Sequence, residues 1–117
     1  MRTSSCKAKG RLLQDKVRDT ILEHFSSLEK DDVQCAIMGQ QGCDVKLSPV
    51  ARKKFPYSIE CKNQESLSIW SALKQAESNV KEGTAPLLIF RRNHSKTYVT
   101  LELENFMKLI PNDNDSS

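Results

Sequence analysis

Apolar residues recur every four positions at Leu13, Val17 and Ile21, with Leu22 and Phe25 beside them. That period fits the buried face of a helix, which is expected to run from Lys9 or Gly10 to about Phe25. Residues 1–6 form a polar lead expected to fray. After a charged connection over 26–32, the short apolar run from Val33 to Met38 reads as a strand. Gly39-Gln40-Gln41-Gly42 is expected to turn the chain into a second strand from Asp44 to Leu47. Ser48 and Pro49 suit an N-cap and first helical position, so one short helical turn is expected next. Tyr57, Ile59 and Cys61 alternate with Ser58, Glu60 and Lys62, which predicts a third strand. Pro56 fits the start of that strand and not its middle.

The period then returns to that of a helix. Ser66 or Ser68 can cap a helix that continues to about Val80, with Ile69, Leu73, Ala76 and Val80 as its buried stripe. Gly83 suits its end. The near-continuous apolar run from Leu87 to Arg91 reads as a strand buried on both faces. Lys96 to Leu101 alternates as a half-buried strand. Leu103, Phe106 and Ile110 place a closing helix over 102–110, ended by Pro111. The order is therefore α-β-β-β-α-β-β-α, an α/β fold with a central mixed β-sheet flanked by helices. Residues 1–110 are expected to form a single domain, and 111–117 a disordered acidic tail.

Composition narrows the class. At 117 residues, with 38% hydrophobic and 28% charged, the chain reads as one ordinary globular domain. No apolar run approaches the ~18 residues that would span a membrane, and no apolar leader is visible, so a cytoplasmic site is expected. Four cysteines (Cys6, Cys35, Cys43, Cys61) show no Cys-x-x-Cys spacing, and Cys35 and Cys61 are expected as small buried hydrophobes. Trp70 is expected to pack. The net charge is +3, but Asp113 and Asp115 fall in the tail. Residues 1–110 carry 18 basic against 13 acidic side chains, a mildly basic body compatible with nucleic acid.

The chemistry concentrates between Gly42 and Asn63. Side chains two apart on a strand share a face, so Glu60 and Lys62 point the same way, roughly 7 Å apart along the chain. If the strands at 44–47 and 57–62 pair as a hairpin, Asp44 can reach Glu60. Hard divalent cations prefer carboxylate and carbonyl oxygens, so Asp44, Glu60 and the backbone carbonyl of Cys61 are candidate ligands for Mg²⁺ or Mn²⁺. Lys62 could orient a water or offset charge on a phosphate. The competing account is a surface hairpin with an exposed Glu-Lys pair, worth well under ~1 kcal/mol.

Asp44, then Glu60-Cys61-Lys62 at the end of an apolar strand, resembles the PD-(D/E)xK nuclease signature. Within that superfamily the chain most resembles the small Holliday-junction-resolvase-like endonucleases, including phage-type ones, over roughly Lys7 to Ile110. Cys43 stands where the signature has its Pro. The resemblance implies a restriction-endonuclease-like core, metal-dependent cleavage of branched or duplex DNA, and a two-fold homodimer if junctions are resolved. It also implies catalytic roles for Gln75, aimed at the attacking water or the scissile phosphate, and for Gln14, where many resolvases carry a Glu.

Two basic sets could bind phosphates. Lys7, Lys9, Arg11 and Arg18 lie along the first helix, and Arg52, Lys53 and Lys54 form the densest cluster. The competing account for each is a solvated face. Three functions stay open: a nuclease, a non-catalytic nucleic-acid-binding module keeping the nuclease fold, and an interaction protein whose basic residues keep it soluble. Hydrolysis by a cysteine or Ser-His-Asp set is poorly supported, because His24 and His94 lack evident partners.

Overall fold

The computed structural model describes residues 3–37 and 44–113. The Gly39–Gly42 turn, Cys43 and the last residues of the tail lie outside the described residues. A five-stranded sheet runs in the order β1-β2-β3-β4-β5: Val33–Cys35, Val45–Leu47, Tyr57–Asn63, Ala85–Arg91 and Tyr98–Thr100. β3 and β4 are parallel and the other neighbours antiparallel, so the sheet is mixed as expected. The helices are α1 (Thr3–His24), α2 (Pro49–Lys54), α3 (Ile69–Ser78) and α4 (Leu103–Met107), with a 3-10 turn at Lys30–Asp32.

The alternation along the strands sorts the core into two layers. Val33, Val45, Leu47, Ile59, Cys61, Leu87 and Ile89 face α1 and bury Leu13, Val17 and Ile21. Leu88 faces the other way and is covered by Ala72 and Ala76 of α3. Two alanines on the contact stripe let α3 lie close to the sheet, whereas Val80, expected in that stripe, is exposed. α3 is the crossover helix of the β3–α3–β4 unit, because parallel neighbours need a long connection.

Several boundaries move for identifiable reasons. α1 begins at Thr3, well before Lys9, so the lead is helical from Thr3 onward. Its first turns are pinned where the Asn63 Nδ2 amide donates to the Lys9 carbonyl at 2.9 Å, which offsets the ~1 kcal/mol penalty of Gly10 in a helix. Pro86 sits inside β4 and not before it. By strand alternation its nitrogen points toward β5, which has already ended at Thr100, so no ladder bond is lost. α4 is shorter than expected, and Leu103, Phe106 and Ile110 are about half or more exposed, not buried. Trp70 is likewise 79% exposed and does not pack in the core.

Candidate active site

The hairpin forms. Val45 pairs with Ile59, the Asp44 N–H donates to the Ile59 carbonyl at 2.9 Å, and the Ala36 N–H donates to the Asp44 carbonyl at 2.8 Å. Asp44 thus sits at the mouth of β2, opposite Glu60. Its carboxylate accepts the Cys61 backbone N–H at 2.7 Å and lies close enough to the Glu60 carboxyl for the two to interact directly. Glu60 and Lys62 alternate away from the α1 layer onto the α3 side of β3, with Glu60 beside Leu88 in register. Asp44, Glu60 and Lys62 therefore converge, with Lys62 close enough to act on the charge of both acids.

The pair is electrostatically unbalanced. Glu60 is 3% exposed, and burial first, then the Asp44 charge, pushes its carboxyl up to about 7. Burial also raises Asp44, against the Cys61 N–H and Lys62, which favour its charged form. Two carboxyls this close cannot both ionise cheaply, so they share a proton. A divalent cation would relieve the same strain. Magnesium is held through one or two carboxylates plus waters and substrate oxygens, and this donor set fits that pattern. Among the described residues no group of three or more His, Cys, Asp or Glu could hold a metal.

The Cys61 carbonyl is well placed. The N–H and C=O of a strand residue point to the same neighbour, and the Cys61 N–H points to Asp44. The Cys61 thiol lies in the opposite layer, where burial pushes its pKa up and keeps it a protonated core group. Cys35 is half-buried, and burial with Asp15 raises it to about 11.

The glutamines divide differently. Gln14 is buried on α1, in the layer beneath the Cys61 face. The neighbouring acid, Asp15, accepts from the Cys35 thiol at 3.5 Å and pairs with Arg18 at 3.4 Å, so it is no substitute for a helix-borne metal ligand. Gln75 is exposed on α3. Asn79, the C-cap of α3 one turn later, does touch Glu60: its Nδ2 donates to Glu60 Oε1 at 3.3 Å. Asn79 shares the helical stripe of Gln75, so the four-residue spacing could have singled it out.

The basic residues separate too. Lys7, Lys9 and Arg11 lie on the α1 turns tethered to Asn63, at the site end of β3. Arg18 is engaged with Asp15 and Asp19. α2 joins Leu47 to Tyr57, at the end of the hairpin remote from Asp44, ~10 Å away along β2. The Arg52–Lys54 cluster is therefore not beside the acids, and Arg52 Nη1 donates to the Leu47 carbonyl at 2.7 Å. Lys46 alternates onto the Asp44 face of β2, opposite Gln34 of β1. It is a cation of the site's own face that its position two residues from Asp44 could have revealed.

A mixed sheet whose central hairpin brings two carboxylates and a lysine together beside a β-α-β crossover defines the restriction-endonuclease-like class of α/β proteins. Residues 37–116 match the family model described as "Phage putative PDDEXK endonuclease". The chain belongs to that family, one of PD-(D/E)xK endonucleases. No curated protein and no solved structure matched. The matched range holds Asp44, Glu60, Lys62 and all of α3, whereas α1, with Gln14 and its basic residues, precedes it. No helix among the described residues is long and apolar enough to cross a membrane.

Proposed function

We propose that the chain hydrolyses DNA phosphodiester bonds with Mg²⁺ or Mn²⁺ held by Asp44, Glu60 and the Cys61 carbonyl. The observation that carries this reading is the Asp44–Glu60 pair, two carboxyls within reach of each other beside Lys62, with burial raising both acids and the Asp44 charge raising Glu60 further. Membership in an endonuclease family supports it. When bound, the cation polarises a phosphoryl oxygen and lowers the pKa of a coordinated water. Asp44 and Glu60 give up their shared proton and fix the ligand geometry. Lys62 offsets the charge that develops on the phosphate and orients the attacking water. Gln75, exposed one turn before Asn79, contacts the DNA backbone at the mouth of the site. Gln14 supports the layer under Cys61.

Phosphate contacts come from Lys46, from Lys7, Lys9 and Arg11, and more weakly from Arg18 and from Arg52, Lys53 and Lys54. Preference for branched DNA, a two-fold homodimer and action in the host-cell cytoplasm extend the same reading, from the resemblance to junction resolvases. A dimer would place two sites for symmetric cuts.

The test is cleavage of labelled four-way junction, flap, duplex and single-stranded DNA by the parent and Lys62→Ala, with Mg²⁺, Mn²⁺ or chelator. Metal-dependent cutting lost in Lys62→Ala is expected, with paired symmetric cuts on the junction. A folded parent that binds DNA and cuts none of these would favour the non-catalytic binding module.

A further inference from the structure

The turn that ends α3 is fastened to β3 by a closed ring of hydrogen bonds. The Lys81 N–H donates to Ser58 Oγ at 2.9 Å, and Thr84 Oγ1 donates to the Lys81 carbonyl at 2.6 Å. Ser58 Oγ and Thr84 Oγ1 lie 2.6 Å apart. Each hydroxyl has one proton, and that of Thr84 is used on Lys81, so Ser58 donates to Thr84. Every donor in the ring has an acceptor. Gly83 makes the turn feasible, since its φ of 82° lies in the left-handed region that other residues enter at a cost. Ser58 is 4% exposed and sits two residues before Glu60 on the same face of β3. The strand that carries Glu60 therefore also carries the anchor for the end of α3. Asn79 caps α3 between the close Ala76 contact and this ring, and its amide meets Glu60 Oε1.

We propose that Asn79 is a positioning residue: the Ser58–Thr84–Lys81 ring presents its amide to Glu60 Oε1 and so holds the Glu60 carboxylate in the rotamer that faces Asp44. The inference rests on the metal-site reading of Asp44 and Glu60. A glutamate has three side-chain torsions, and a ligand left to choose among rotamers pays for that choice on each binding event. Holding one oxygen from outside removes that cost and leaves the other side of the carboxylate turned to the ion. Outer partners of this type typically change metal affinity by ~10–100-fold when removed.

The test uses the full chain and Mn²⁺ alone, titrated by calorimetry, alongside cleavage as a function of Mn²⁺ concentration. Asn79→Ala is expected to need at least ~10-fold more Mn²⁺ for half-saturation and for half-maximal cleavage. Cleavage at saturating Mn²⁺ should return to within a few-fold of the parent, which a merely structural lesion would not produce. Asn79→Gln, which keeps the amide, should recover part of the loss. Ser58→Ala and Thr84→Val should shift Mn²⁺ dependence in the same direction, and Ser58→Ala should add little in the Asn79→Ala background, because both act through one contact. These two variants also carry the test if Asn79→Ala does not fold. A folded Asn79→Ala with parental Mn²⁺ binding would overturn the positioning role alone. Full additivity of Ser58→Ala with Asn79→Ala would overturn the ring as its cause. A folded parent that neither binds Mn²⁺ nor cuts DNA would overturn the nuclease reading, and this inference with it.

Discussion

The Cys61 backbone N–H donates to Asp44 Oδ2 at 2.7 Å, one residue along β3 from Glu60. Asp44 is itself held to β3 through its own N–H on the Ile59 carbonyl at 2.9 Å. The sheet ladder therefore fixes both the backbone and the carboxylate of Asp44, and Glu60 receives its partner acid from the strand next door. The same bond turns the Cys61 carbonyl toward the acids.

Asp44→Asn separates this placement from charge. The amide oxygen can still accept the Cys61 N–H, so the hairpin should form. The negative charge of a proposed metal ligand is lost, and cleavage should fall by more than the ~10–100-fold typical of removing an outer partner. In chelator at pH 8 the thermal midpoint should hold or rise, because Glu60 no longer faces a second buried carboxylate. Undiminished cutting by Asp44→Asn would remove Asp44 from the site.

Glu60 sets a pH dependence whose sign is fixed. Its carboxyl is raised from 4.5 to about 7, by burial first and by Asp44 second. A carboxyl raised in the folded state binds more protons there than in the unfolded chain. Its contribution to stability is present below about 4.5 and lost as pH rises through about 7. Asp44 is shifted in the same direction. In chelator, the thermal midpoint should therefore decline across this window relative to Glu60→Gln. Saturating Mn²⁺ should restore stability at the upper end, because it binds the ionised pair. A parent and Glu60→Gln with parallel profiles would show that Glu60 is not the titrating group.

The site was legible wherever strand alternation governs it. Tyr57, Ile59 and Cys61 against Ser58, Glu60 and Lys62 is a local pattern, and one hairpin completes it with Asp44. Asn79 and Lys46 obey the same periodicities, but their importance depends on how α3 and β2 are placed against β3, which no local window contains. The position of the Arg52–Lys54 cluster relative to the acids was hidden for a related reason. It is near Glu60 in sequence, yet a connection between antiparallel strands lies at the end away from Asp44. Phe106 and Ile110 have helical spacing, but spacing does not supply a surface for α4 to cover. The N-terminal turns of α1 carry no large apolar side chain before Leu12, and their anchor, Asn63, is more than fifty residues away.

Ser48→Ala tests a contact that supports the hairpin without touching its chemistry. Ser48 Oγ accepts the Ala51 N–H at 3.1 Å as the N-cap of α2 and donates to Asp32 Oδ1 at 2.7 Å. Loss of an N-cap costs about 1 kcal/mol. A lower denaturation midpoint is expected, with cleavage per folded molecule unchanged. A loss of cleavage at full folding would mean that α2 sets the geometry of the acids.

DNA binding should distinguish the two basic faces. Lys46 shares the Asp44 face of β2, whereas Lys53 and Lys54 project from α2 at the remote end of the hairpin. Each phosphate contact contributes ~0.9 to the slope of log affinity against log salt on duplex DNA. Measured on a duplex in Ca²⁺, to hold the site charged while suppressing cutting, Lys46→Ala should lower that slope by about one. Lys53→Ala combined with Lys54→Ala should change it by much less than two, because α2 joins the strands at the end remote from Asp44. If the double variant instead loses the slope of two contacts while Lys46→Ala keeps the parental value, the DNA runs across α2. The scissile phosphate would then have to reach Glu60 from the remote end of the hairpin, along the α2 side and not across the open face of β1 and β2.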